Sequence, residues 1–203
     1  MNSDTIFRII FFTLFICSIF IRGYYGRKVK QSGERCISMD KKAKKREGRL
    51  SIILRIVVVF LFAVMIIYAI NPVWMTLFAL PFPVWLRWIG VGLGLLSFPL
   101  MIWVHRTLGK YWSKSLELRE EHILITSGPY HWIRHPMYTV LSIFMIAIAL
   151  VSANLPIVLL TILVIIILYA LTGKEEQMMI DRFGEEYLAY MKCTGRLLPC
   201  LIR

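Results

Sequence analysis

Two polar clusters interrupt an otherwise oily chain. The first is His122-Ile-Leu-Ile-Thr-Ser-Gly-Pro-Tyr-His-Trp-Ile-Arg-His-Pro-Met-Tyr138, and the second is the adjacent pair Glu175-Glu176. Pro136 stands where proline is tolerated, in the first turn of a helix. Such a helix start leaves backbone N–H groups free and carries a partial positive charge, so Arg134 beside it makes an anion site. The plainer alternative is an interfacial arginine and histidine held by lipid headgroups. Glu175 and Glu176 follow a long apolar run. If a helix ends there, two like charges sit at the unfavourable pole of its dipole, and a bound cation relieves both problems. If the helix runs on to Phe183 the dipole argument weakens, and a solvated helix face is the competing reading.

Tyr130, Trp132 and Tyr138 add flat walls suited to a ring. A ligand with a carboxylate, a cationic centre and a purine satisfies all of these features, and S-adenosylmethionine has all three. Other chemistries find less support. His131 and His135 are four apart, but no carboxylate accompanies them at metalloprotease spacing and Pro136 disrupts a helix through both, so no metal is expected. There is no G-x-G-x-x-G after a strand and no G-x-S-x-G elbow. The C-terminal Cys200-Leu-Ile-Arg203 has the form of a prenylation box with the wrong last residue.

The elements that position these residues are membrane spans. The chain has 203 residues, of which 58% are hydrophobic, and a mean hydropathy of +0.68. That is more apolar than a soluble domain and leaves no room for a second globular unit. We expect an all-α integral membrane bundle of about five spans: Ile6–Ile21, Ser51–Ile70, Val84–Val104, and a tight hairpin of Met137–Val151 and Leu155–Leu171 turning at Ser152-Ala153-Asn154. The first run lacks the charged start and small-residue exit of a signal peptide and reads as a retained span. Its sixteen residues reach about 24 Å, short of a ~30 Å core unless Arg8 snorkels.

The net charge of +12 comes from 24 basic and 12 acidic residues. Eleven of the bases fall in the stretch 22–49, expected to be a cytosolic loop, which places the N-terminus outside and the C-terminus in the cytosol. The same loop suits anionic lipid headgroups. Nucleic-acid binding is not expected, no obligate protein partner is evident, and the four cysteines form no disulfide or zinc pattern. Gly90, Gly92 and Gly94 allow close helix approach, and Pro99 should kink the third span. The tail from Thr172 reads as an amphipathic helix bent near Gly184.

The combination His122-Ile-Leu-Ile, Gly128-Pro-Tyr130, Arg134-His-Pro-Met-Tyr138, Glu175-Glu176 and Phe183-Gly-Glu-Glu-Tyr187 resembles the isoprenylcysteine carboxyl methyltransferase family, part of a wider group of membrane methyltransferases that includes phospholipid N-methyltransferases. The resemblance covers roughly residues 105–199, with 1–104 similar in span pattern only. Composition and span pattern give one membrane domain over 1–203, with three spans and the basic loop in 1–104, and the resemblance implies a catalytic region in 105–203 containing the hairpin 136–171 and a cytosolic tail.

It also implies S-adenosylmethionine as cofactor and S-adenosylhomocysteine as product. The cofactor positions fall on His122, Ile123, Leu124, Ile125, Tyr130, His135, Pro136, Met137, Tyr138, Glu175 and Glu176. Arg134 and Glu176 are expected to carry catalysis, Arg134 by holding an anionic group and Glu176 by holding the cofactor's ammonium. The implied reaction is carboxyl O-methylation of a prenylcysteine-like lipophilic acceptor that enters from the bilayer. Phospholipid-amine N-methylation and a nicotinamide-dependent sterol-type reductase are the alternative enzymes, and a non-catalytic lipid-binding protein is the alternative outside enzymology. One departure stands out: Leu171 and Thr172 occupy the place where the family carries an arginine about one turn before its paired glutamates, and Lys174 is the nearest base.

Overall fold

The computed structural model describes residues 3–31, 41–70, 72–109 and 124–200. They form seven helices: α1 (Ser3–Gln31), α2 (Lys41–Ile70), α3 (Pro72–Thr76), α4 (Val84–Leu108), α5 (Pro136–Ser152), α6 (Leu155–Phe183) and α7 (Glu185–Cys193), with a 3-10 turn over Gly128–His131 before α5. Among the described residues pairing between extended segments is limited to two isolated bridges, Ala79 with Asn154 and Ile133 with Gly195. By length and composition α1, α2, α4 and α6 can each cross a membrane, and α5 is a shorter apolar helix of 17 residues.

Each helix buries a stripe at helical spacing and turns the remainder outward. In α1 the stripe is Phe7, Phe11 and Leu14, and in α2 it is Leu61, Met65 and Tyr68. The two meet where the Phe11 and Tyr68 rings cross edge to face at 5.1 Å. Ile9, Phe20, Val59, Phe60, Leu96 and Ile166 stay exposed, as expected of a surface whose solvent is hydrocarbon. The middle of the bundle is α5, packed by α4, α1 and α6, with Val140, Phe144, Ala147, Ile148 and Val151 fully enclosed.

Glycine sets the α4–α5 spacing. A Cβ at Gly90 would lie 2.8 Å from Leu150 Cβ and 3.0 Å from the Ala147 carbonyl oxygen, and one at Gly94 would lie 2.8 Å from Leu14 Cδ1. Gly92 has nothing within 4 Å, so two of the three glycines mediate packing. Pro99 lies inside a helix that continues unbroken from Val84 to Leu108.

One end of the bundle is tied by a buried cation. Arg87, 6% exposed, donates from Nε at 3.1 Å and from Nη2 at 3.0 Å to the Val151 carbonyl, near the C-terminus of α5. Its Nη1 meets Asp4 at 2.6 Å, and its guanidinium lies 4.0 Å over the Phe7 ring. Three helices converge there, and the cation offsets the negative pole of α5. The hairpin turn falls at Ala153-Asn154 as expected, with Ala153 at φ 46 and Asn154 donating to the Met75 carbonyl at 3.0 Å.

The span boundaries differ from the expectation in an instructive way. Helix α1 covers 29 residues and α2 covers 30, so both ends of the basic run 22–49 are helical extensions rather than loop. Lys and Arg are good helix formers and can snorkel, so a helix need not stop where charge begins. The shortfall computed for Ile6–Ile21 disappears for the same reason. Helix α6 runs on to Phe183, so the tail does not begin at Thr172. Its end is set by Gly184 at φ 54, where the expected bend is found. Residues 32–40 and 110–123 lie outside the described residues, and with them the middle of the basic run, His122 and Ile123.

Candidate active site

The buried stripe of α6 runs Ile157, Thr161, Val164, Leu168, Thr172 and then Glu176. The spacing of four, three, four, four and four keeps all six on one face, so the rhythm that buries the apolar residues also points a carboxylate into the bundle. Glu176 is 3% exposed. A lone carboxylate there is untenable, and cations gather around it. Arg134 Nε donates to its Oε1 at 2.8 Å, an Arg196 Nη2 hydrogen bond reaches its Oε2, and His135 Nε2 lies 3.5 Å from Oε1. Glu175 completes the cluster: its Oε2 is 3.2 Å from His135 Nδ1, and its Oε1 accepts the Tyr138 hydroxyl. His135 and Tyr138 stack nearly parallel, 9° apart with centroids at 5.8 Å.

The segment after α7 closes this corner. Arg134 N–H donates to the Gly195 carbonyl at 2.8 Å and His135 N–H to the Arg196 carbonyl at 3.1 Å. Thr139 Oγ1 donates to the Leu197 carbonyl at 2.6 Å. Arg134 Nη1 is spent on the Met191 carbonyl at 3.1 Å and on the Thr194 carbonyl. Arg134 therefore ties α5, α6 and the end of α7 together, where the sequence suggested an open anion site. Backbone donors just before the α5 N-terminus are likewise covered by protein.

The 3-10 turn that precedes α5 depends on Gly128 at φ 60, against which Thr107 packs so closely that a Cβ would sit 2.7 Å from its Oγ1. The turn carries Tyr130 onto the Met101, Val104 and Val140 cluster together with Met137, and the Tyr130 carbonyl accepts the Tyr190 hydroxyl at 2.5 Å. Pro136 is buried at the first position of α5. Leu124 and Ile125 are half-buried and lead into the turn.

Residues 90–181 match the model of the isoprenylcysteine carboxyl methyltransferase (ICMT) family. The match spans the Arg134–Tyr138 run and both clustered glutamates. The stretch that carries the carboxylate cluster is thus similar to the ICMT family. Among solved structures, the fold is similar to that of the eukaryotic intramembrane Ras methyltransferase ICMT, with a TM-score of 0.52 and 23% identity over 81% of this chain and 54% of that one. The chain thus spans about half the length of that ICMT. No curated protein matches the sequence. The multi-helical fold and its apolar surface are those of an integral membrane protein.

The matched residues 90–181 do not contain the whole cluster. Thr194 and Arg196 lie beyond residue 181, and nothing in the sequence reading singled them out. The signal that could have found them is the need of a buried Glu176 for cations, coupled with a Thr-Gly-Arg turn after an amphipathic helix. Gly195 is required there, because a Cβ would lie 1.8 Å from the Leu198 carbonyl oxygen.

Burial and surrounding charge shape the titrations. Burial raises the Tyr130 phenol, reinforced by Tyr190 and Glu175, and burial raises Tyr187, reinforced by Glu176 and opposed by Arg134. Burial likewise lifts Tyr190 to about 12 against the pull of Arg134. These hydroxyls stay protonated at neutral pH, and that of Tyr190 donates to the Tyr130 carbonyl. Burial alone would lower His135, but Glu175 and Glu176 beside it outweigh that and raise it.

A raised folded value means that protonated His135 contributes stability that is complete below its unfolded value, about 6.5. That contribution is lost as pH rises through the folded value. The unfolding midpoint of the detergent-solubilised protein should therefore fall as pH is raised above about 6.5, and His135→Gln should flatten the slope. Equal slopes in the two proteins would remove His135 as the cause.

Proposed function

We propose that this protein is an S-adenosylmethionine-dependent methyltransferase that esterifies the carboxylate of a prenylcysteine-like lipid. The observation that carries the reading is Glu176, a carboxylate enclosed at one end of an apolar bundle and ringed by Arg134, Arg196 and His135. Such a site suits a ligand with its own ammonium and carboxylate. The residues fit this cofactor: His135 Nε2 is buried with only the 3.5 Å contact to Glu176 Oε1, and the parallel His135–Tyr138 pair offers a flat face. Glu176 would hold the ammonium, with His135, Tyr138, Tyr130, Met137 and Glu175 lining the pocket and His122–Ile125 contributing from the preceding segment.

When bound, the cofactor supplies a methyl group on a sulfonium, so that an acceptor oxygen gains the O–CH₃ bond while the S–CH₃ electron pair stays on sulfur. A carboxylate is already ionised and needs no base, so this chain's task is desolvation and alignment, holding the nucleophile in line at about 3–3.5 Å. Arg134 serves by fixing Glu176 in place. Both halves of the cluster are at the bundle end that carries the basic stretches, which we assign to the cytosolic face. The exposed Arg27, Lys28 and Arg49 would rest on anionic headgroups.

The test is incubation of the purified chain with methyl-labelled S-adenosylmethionine and N-acetyl-S-farnesylcysteine. Base-labile label in the organic extract is expected. Base-stable label transferred only to phosphatidylethanolamine would reassign the protein to amine N-methylation. Absence of transfer to both would overturn the reading.

A further inference from the structure

Glu176 has more cationic partners than it needs, and the two arginines differ. Arg134 is enclosed, its side chain 9% exposed, and is bound on three sides by protein. Arg196 has a side chain 36% exposed. Its guanidinium bridges the buried Glu176 and the ring of Tyr169, 5.6 Å away, which is itself exposed on the outward surface of α6. Between Tyr169 and Glu176, α6 offers the buried Leu171 and Thr172 and the exposed Lys174. A lipid-tailed acceptor that slides along α6 toward the carboxylate cluster thus meets Arg196 as the cation poised between surface and site.

Resting on the function proposed above, we propose that Arg196 occupies the place of the cofactor's ammonium on Glu176 and, once displaced, receives the oxyanion of the lipid acceptor. Two cations compete for one carboxylate edge. The incoming ammonium takes Glu176 Oε2, Arg134 keeps Oε1, and the freed guanidinium remains anchored through the backbone contact of Arg196 with His135. A freed arginine binds carboxylate or phosphate with paired hydrogen bonds. Cofactor and acceptor binding therefore promote each other, and an acceptor without an oxyanion gains nothing from the cofactor. The specificity residue lies beyond the matched residues 90–181, on the segment after α7.

The experiment uses the full chain in detergent and reads binding, not turnover. S-adenosylhomocysteine binding is measured by calorimetry in the wild type, Arg196→Gln and Arg196→Lys. Binding of N-acetyl-S-farnesylcysteine, its methyl ester and farnesyl phosphate is then measured with and without saturating S-adenosylhomocysteine. In the wild type the free acid is expected to bind at least about tenfold more tightly with S-adenosylhomocysteine present, and the ester equally in both states. Arg196→Gln should keep or improve S-adenosylhomocysteine affinity, abolish that coupling and weaken the acid about tenfold or more, with Arg196→Lys intermediate.

Farnesyl phosphate in place of the acid, with the same dependence on Arg196, would identify phosphate as the oxyanion. Acid affinity unchanged in both variants overturns the proposal while leaving the cofactor assignment intact. So does loss of S-adenosylhomocysteine affinity in Arg196→Gln, which would place Arg196 in the cofactor pocket. The wild-type coupling needs no variant, and its absence also overturns the proposal. Failure of the wild type to bind S-adenosylhomocysteine at all overturns both readings, and is recognised before any variant is compared.

Discussion

Glu176→Gln should lower the affinity for S-adenosylhomocysteine by about 100-fold or more, the largest functional effect of any single side chain in this protein. The glutamine keeps the shape and removes the charge. A desolvated charge pair truncated on one side loses about 2–5 kcal/mol, and 1.4 kcal/mol is tenfold. Arg134, Arg196 and His135 would then face one another without a counter-charge, and the unliganded protein should also lose about 1–3 kcal/mol of stability. Glu175→Gln is the informative companion. The Glu175 side chain is 24% exposed and among the described residues bonds Tyr138 and His135 but no arginine, so its effect should be smaller. Calorimetric titration at matched folded fractions separates affinity from stability. Undiminished binding in Glu176→Gln would make the carboxylate a scaffold for the arginines and nothing more.

Gly90→Val should be the most damaging substitution in the spans. Its Cβ would press on the Ala147 carbonyl, a backbone atom that cannot rotate aside, and on Leu150 and Val151 beyond it. Inserting even one methyl into a tight contact costs about 1–3 kcal/mol, and valine adds two more. The α4–α5 pair would have to separate, and with it the α5 start that carries Arg134 and His135. Gly92→Val adds the same side chain where nothing lies within 4 Å, and should shift stability by no more than about 0.5 kcal/mol. Thermal unfolding of both variants in one detergent makes the comparison. Equal midpoints would show that the two helices do not rely on the glycine.

Much of the architecture follows from composition acting in a lipid solvent. Long apolar runs have to become helices there because their backbone groups find no other partner, and the hairpin at Ala153-Asn154, the bend at Gly184 and the close approach at Gly90 are each legible as a residue whose conformational freedom or small size is needed. The helix limits were harder to read. Hydropathy reports where apolar side chains stop, whereas α1, α2 and α6 continue through Arg22, Arg49 and Lys174 because charged side chains extend a helix as readily as they end a span.

The chain alone determined that it lives in a membrane, that its polar chemistry gathers at the start of α5 and in the last turns of α6, and that Arg134, His135, Tyr138, Glu175 and Glu176 belong together. Tertiary structure decided what each of these touches. Arg134 faces Glu176 and the end of α7 instead of an open anion site, and Arg196, which no motif singled out, arrives at the same carboxylate from the other side. The reason is electrostatic. A carboxylate turned inward by the rhythm of α6 draws whatever cations the fold can bring within reach, and which ones those are depends on where α7 and the segment after it pack.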